Sequence, residues 1–180
     1  MSSIAACNSS AFDFNIYSWP PSDTIPITRF MSSDSCIGQP LVMKKFRDKN
    51  PLHESDWSED ILASKEAQRL AILFNSELNS NKPIRFIAPY IDECRNNIWP
   101  PFIGGEKILA EPYLGKNVYK KFNLNSGWED KNCRLSTGAF SHFIYRITSG
   151  TNLVCDLQGI KNNNEYILTD PVICSIKNSL

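Results

Sequence analysis

Apolar positions in this chain come in short bursts, and the spacing within a burst changes along the sequence. Residues 1–28 are rich in serine, asparagine and proline, include Trp19-Pro20-Pro21, and hold neither a period of two nor one of 3.6, which predicts a poorly ordered lead-in. From Gln39 the run QPLVMKKF, apolar at Leu41, Met43 and Phe46, predicts a strand with a lysine pair near its end. Asp56 and Glu59 have capping-box spacing, and Ala63, Ala67, Leu70, Phe74 and Leu78 recur at steps of three or four. They predict the longest helix, which the polar stretch 79–83 and its proline end. IRFIAPYI and KILAEPYL read as two strands of one sheet, joined by the loop 96–105. After the polar segment KKFNLNSGWEDKN, Ser136 or Thr137 is placed to cap a helix with Ala139, Phe140, Phe143 and Ile147 on its apolar face and Gly150 at its end. NLVCDLQGI then reads as a strand, KNNNE as a loop and YILTDP as a strand, with no further element before Leu180.

At 180 residues the chain suits one domain, and 42% hydrophobic with 11% aromatic residues suits a packed core. Lysine plus arginine equals aspartate plus glutamate at 19 each, so no overall field draws the protein to nucleic acid or to an anionic membrane. Neither partner is expected. The first 15 residues lack a basic region followed by an apolar one, and no apolar run reaches the ~20 residues that span a bilayer. Six scattered cysteines without a CxxC pair complete the expectation of a reducing, cytoplasmic setting.

The residues with chemical potential lie near strand ends. LVCDLQG and YILTDP place Asp156 with Gln158, and then Asp170, where two acids and an amide could converge. Phosphoryl transfer needs such a group, because magnesium prefers oxygen ligands and the attacking hydroxyl is oriented by a carboxylate. Taken singly, an acid ending a strand is more often a turn former. Lys44 could meet phosphates with Glu59 or Asp60 holding its ammonium, although a strand lysine is more often a solvated edge residue. Glu111, before a proline that interrupts ILAEPYL, marks either a hinge whose backbone meets a purine or a glutamate facing water. His142, between Phe140 and Phe143, reads as a core histidine, since Cys155 and Cys174 do not complete the four ligands of a zinc site. No cysteine sits in a glycine-lined turn or beside a helix start, which argues against a Cys-His hydrolase.

In order along the chain, VMKKF, SEDILASKEAQRLAILFN, AEPYLG, KKFNLNSGW and, most specifically, LSTGAFSHFIYRITSGTNLVCDLQGIKNNNEYILTDPVICS resemble the alpha-kinase family over residues 41–175. The resemblance implies an α+β, two-lobed protein-kinase-like fold with ATP in the cleft, here over 29–180. It also implies a serine/threonine protein kinase acting on a protein substrate. By position Lys44 would contact the α- and β-phosphates, Glu59 or Asp60 would orient it, and Glu111 with its neighbours would meet adenine. Asp156 would orient the substrate hydroxyl, Gln158 and Asp170 would hold magnesium and the phosphates, and His142 would be one ligand of the family's structural zinc. The stretch TIPITRFMSSDSCIG matches the family's first glycine hairpin poorly, and the second glycine-rich loop and the His/Cys zinc cluster have no counterpart in the 180 residues. The resulting expectation is a domain incomplete at both ends that binds no zinc. It is either an alpha-type kinase or a catalytically weak, nucleotide-binding pseudokinase.

Overall fold

The computed structural model describes residues 41–44, 53–93, 103–114, 119–124 and 126–175; the expected lead-in over 1–28 lies outside them. Its strands are β1 (Leu41–Lys44), β2 (Ile84–Phe86), β3 (Tyr90–Glu93), β4 (Lys107–Pro112), β5 (Tyr119–Lys121), β6 (Asn152–Cys155), β7 (Gln158–Lys161), β8 (Tyr166–Thr169) and β9 (Val172–Ser175). The helices are α1 (Ser58–Leu78) and α2 (Ala139–Ile147). The described residues divide into two compact units, a smaller one of 41–59 and 89–113 and a larger one of 60–88 and 114–175.

The smaller unit is an antiparallel sheet in the order β1-β4-β3. As the central strand, β4 buries Ile108, Leu109, Ala110 and Glu111 in succession, which explains why ILAE lacks a clean alternation. Trp57, fully buried in the 3₁₀ turn Glu54–Trp57, points its indole N–H at the Lys107 carbonyl, 3.5 Å away.

In the larger unit α1 turns Ala67, Leu70, Ala71 and Phe74 inward, and Phe74 meets Phe140 and Phe143 of α2 edge to face at centroid separations of 5.3 and 5.4 Å. These rings join Phe86, Phe122, Tyr166 and Leu168 in one core. The sheet runs β2-β8-β7-β5, with β2 parallel to β8 and the remaining pairs antiparallel. The open edge of β2 is covered by polar side chains of α1. Asn75 both donates to the Ile84 carbonyl (2.7 Å) and accepts from the Ile84 N–H (2.9 Å), while Gln68 accepts from the Phe86 N–H at 2.7 Å. Saturating the edge in this way removes the unpaired groups that invite another strand.

The structure departs from the periodicity at several points. Asp56 lies inside the 3₁₀ turn, so α1 begins through a tightened turn at Ser58, and Leu78 at its far end is exposed. IRFIAPYI is two strands in two sheets: β2 joins the larger unit, and only β3, beyond Pro89, pairs with the KILAEP strand. Within the polar segment, β5 forms an edge strand whose exposed lysines conceal it from hydrophobic pattern. Neither Ser136 nor Thr137 caps α2, which instead follows a π-type turn, Arg134–Gly138, with Gly138 at its N-cap. Thr137 donates its hydroxyl to the Cys133 carbonyl. Ile144 replaces the exposed Ile147 on the buried face, and Gly150, at φ +79°, closes the helix through its N–H to Tyr145 O. NLVCDLQGI divides into β6 and β7 in different sheets, and a further strand, β9, follows YILTDP and pairs with β6.

Gly159 in β7 is confined by its neighbours. Its φ is +148°, and a Cβ there would lie 2.1 Å from the Ile167 carbonyl oxygen of β8. Gly159→Ala is expected to lower the unfolding free energy by at least about 3 kcal/mol, combining backbone strain with a clash against main chain. Urea denaturation checks it; a loss below about 1 kcal/mol would show that β7 and β8 separate easily at this point.

Candidate active site at two aspartate crossovers

Two strands change sheets side by side. β6 passes into β7 through Asp156-Leu157, and β8 passes into β9 through Asp170-Pro171. The ladders on either side set Cys155 opposite Val172 and Gln158 opposite Thr169, so the two connections are adjacent. Both aspartates have left-handed backbones, Asp156 at φ +54° and Asp170 at φ +47°. This region is costly for most L-residues and least so for Asn and Asp, whose short polar side chains can bond locally. Register thus sets the main chain at Asp156 and Gln158 beside that at Thr169 and Asp170. Gln158 is buried, while Asp156 and Asp170 are half-buried.

A buried polar network fixes the first crossover. Asn123 accepts the Leu157 N–H on its Oδ1 at 2.8 Å and donates its Nδ2 to Ser141 Oγ at 3.3 Å. Ser141 in turn donates to the Val154 carbonyl at 2.7 Å, and the Leu157 carbonyl accepts from the Phe122 N–H at 2.8 Å. Main-chain groups on both sides of Asp156 are thus held by side chains that are themselves buried. At the second crossover Tyr119 Oη lies 2.8 Å from Thr169 Oγ1, which donates onward to Asp170 Oδ2 at 3.4 Å. Asn123, Ser141 and Thr169 stand inside the segments KKFNLNSGW, FSHF and TDP, but neither they nor Tyr119 have a residue type or spacing that marks them for this role. Only the long-range pairing of β5, β7 and β8 gives them a role.

In the smaller unit Lys44, at the end of β1, forms an ion pair with Glu111 of β4, Nζ to Oε1 2.9 Å, with side chains 11% and 6% exposed. Neither residue is the solvated edge group that strand position alone suggested. The pair places Glu111 at the Lys44 ammonium, a position for which the sequence offers Glu59 or Asp60. Those two occupy the first turn of α1, Glu59 exposed and Asp60 half-buried.

His142 stands on the exposed side of α2, contrary to its reading as a core histidine. Among the described residues no group of three or more His, Cys, Asp or Glu side chains is assembled for a metal ion. Magnesium asks for less, often one or two carboxylates with waters and substrate phosphates completing the shell, and the oxygens of Asp170 and Gln158 suit it.

Comparison with known proteins gives this arrangement its class. The model of the Alpha-kinase family matches residues 23–180. Myosin heavy chain kinase C of Dictyostelium discoideum is 35% identical over 136 residues, covering 75% of this chain and 16% of that protein. Eukaryotic elongation factor 2 kinase of Rattus norvegicus is 30% identical over 127 residues, covering 68% and 16%. Among solved structures, an alpha kinase from Entamoeba histolytica superposes with a TM-score of 0.61 at 26% identity, over 79% of this chain and 57% of that one. The alpha-kinase domain of myosin heavy chain kinase A in complex with AMP gives 0.60 at 25%, over 82% and 59%. The fold is the α+β fold of alpha-kinase domains, and the chain belongs to the alpha-kinase family. It spans about a sixth of the length of these curated relatives and under two thirds of the solved domains. Among the described residues no helix is long and apolar enough to cross a membrane.

The clamp on Leu157 makes a local prediction. Asn123→Ala orphans a buried N–H and is expected to cost about 1–3 kcal/mol. Hydrogen exchange at the Leu157 amide should accelerate more than at the β7 amides Ile160 and Lys161. Uniform acceleration across β7 would mean that Asn123 supports the sheet as a whole rather than the crossover.

Proposed function

We propose that this chain transfers the γ-phosphoryl group of ATP to a serine or threonine hydroxyl of a protein substrate, as an alpha-type kinase domain occupying residues 29–180 in the cytoplasm. The observation that carries the reading is the adjacency of the two crossovers, which sets Asp156 and Gln158 beside Thr169-Asp170 on a braced backbone. Phosphoryl transfer through a loose transition state demands positioning and charge stabilisation more than covalent chemistry, and a left-handed turn clamped by buried hydrogen bonds supplies rigidity.

In this mechanism Asp156 accepts a hydrogen bond from the substrate hydroxyl and aims its oxygen at the phosphorus. Gln158 and Asp170 would hold magnesium, which when bound neutralises charge on the phosphate oxygens. Tyr119 and Thr169 orient the Asp170 carboxylate through their hydroxyls. Lys44 contacts the α- and β-phosphates, with Glu111 limiting its rotamers and Glu59 or Asp60 supplying further negative charge. The backbone at Glu111 and Pro112 meets adenine. Myosin heavy chain kinase A structures with AMP and with ADP support a nucleotide as the ligand of such domains.

Two measurements test the assignment. Lys44→Ala is expected to weaken magnesium-ATP binding by roughly 10- to 100-fold, the worth of a charge-assisted contact to phosphate, whereas Lys45→Ala should change it little. Calorimetry on samples whose melting shows them folded reads this, because Lys44→Ala also strips Glu111 of its ion pair. Equal losses from the two variants would remove Lys44 from the site.

Turnover separates the two aspartates. With radiolabelled ATP and a generic basic protein, Asp156→Ala should abolish magnesium-dependent phosphorylation while ATP still binds, and Asp170→Ala should impair both. Activity within a few-fold of wild type in Asp156→Ala would overturn the kinase mechanism. ATP binding without turnover in the unsubstituted chain would favour the pseudokinase reading.

A further inference from the structure

Behind the two crossovers the β6–β9 ladder brings two thiols together. Cys155 Sγ and Cys174 Sγ are 3.5 Å apart, and the S–H of Cys155 also reaches the Val172 carbonyl at 3.6 Å. Cys155 is buried at 4% exposure, and Cys174 is half-buried. The register pairs Cys155 with Val172 and Cys174 with Leu153, so the two cysteines are diagonal neighbours with side chains on one face of a ladder that is two strands wide among the described residues. Two apolar side chains would fill this place equally well, and neither thiol enters the chemistry assigned to Asp156, Gln158 and Asp170.

We infer that Cys155 and Cys174 form a reversible thiol–disulfide site, closed by hydrogen peroxide and opened by a dithiol. The half-buried Cys174 is the thiol that an oxidant reaches first. Its sulfur attacks the peroxide, the O–O bond breaks, and one water leaves with Cys174 as a sulfenic acid. The Cys155 sulfur then displaces hydroxide from Cys174, the S–S bond forms, and the hydroxide takes the Cys155 proton as a second water. Two thiols are oxidised and one peroxide is reduced to two waters. The short separation favours this second step over further oxidation of Cys174.

The geometry also favours reversal. Diagonal positions across an antiparallel pair lie about 7–8 Å apart at Cα, beyond the usual 4.4–6.8 Å of a disulfide, so closure must draw the strands together and leaves the bond strained. Strained disulfides are the readily reduced ones. The bond would join positions 19 apart in sequence and enclose both aspartate turns in one covalent ring.

Peptide mapping of the whole chain tests this. Lys161 lies between the cysteines, so trypsin separates them unless a bond joins them. After graded hydrogen peroxide and alkylation under non-reducing conditions, the expected product is a Cys155–Cys174 linked peptide pair, lighter by two hydrogens and returned to single peptides by dithiothreitol. Cys155→Ser should instead leave Cys174 as a sulfenic acid that dimedone traps. Conversion of wild-type Cys174 to sulfinic acid with Cys155 still alkylatable would overturn the proposal. So would preferential linkage of either residue to Cys7, Cys36, Cys94 or Cys133. The wild-type map needs no variant to fold.

Discussion

The larger unit depends on a backbone constraint: at Asp156 and again at Asp170 the chain must adopt a left-handed turn and leave one sheet for another. An L-residue pays for that conformation in free energy, and aspartate pays less than most. Because the two turns are adjacent, a single geometric demand creates a pair of carboxylates, with Gln158 starting β7 after the first turn and pairing with Thr169, which ends β8 before the second. Gly159 follows immediately, where only a residue without a Cβ lets β7 approach β8 this closely.

Such turns hold their shape because their surroundings over-determine them. Leu157 contributes a fully buried side chain, an N–H bound by Asn123 and a carbonyl bound by Phe122. Ser141 reaches from α2 to Val154 on the other side, and α2 is anchored through Phe140 and Phe143 against Phe74 of α1. Apolar packing fixes the helices, the helices fix the polar network, and the network fixes the aspartate. A network of this kind rigidifies only when every member is satisfied, so its residues act as a unit. The smaller unit uses a different device, a charge pair between adjacent strands, to hold Lys44.

Much of this was legible in sequence, for identifiable reasons. The long helix announced itself through apolar residues at steps of three and four, and its stop through the polar run before Pro83. The strands YILT and KILAEP were visible as apolar runs, and the ordered motifs FSHF, DLQG and TDP carried the family. The strand breaks at Asp156 and Pro89 were hidden. Leu157 is as buried as the residues of the strands around it, so the apolar pattern runs on where the hydrogen-bond ladder stops. β5 was invisible for the opposite reason, its edge position exposing Lys120 and Lys121 to water.

The sequence by itself determined which residue types stand at the site, where the helices begin and end to within a turn, and which family the chain joins, because these follow from local spacing and motif order. Tertiary structure alone decided that β2 pairs in parallel with β8, that Glu111 meets Lys44, that Asn123 holds the Asp156 crossover, and that Cys155 faces Cys174. Each of these joins residues far apart in the chain. Hydrophobic periodicity records which face of an element is buried, whereas strand register and a torsion angle at one aspartate determine what that face is buried against.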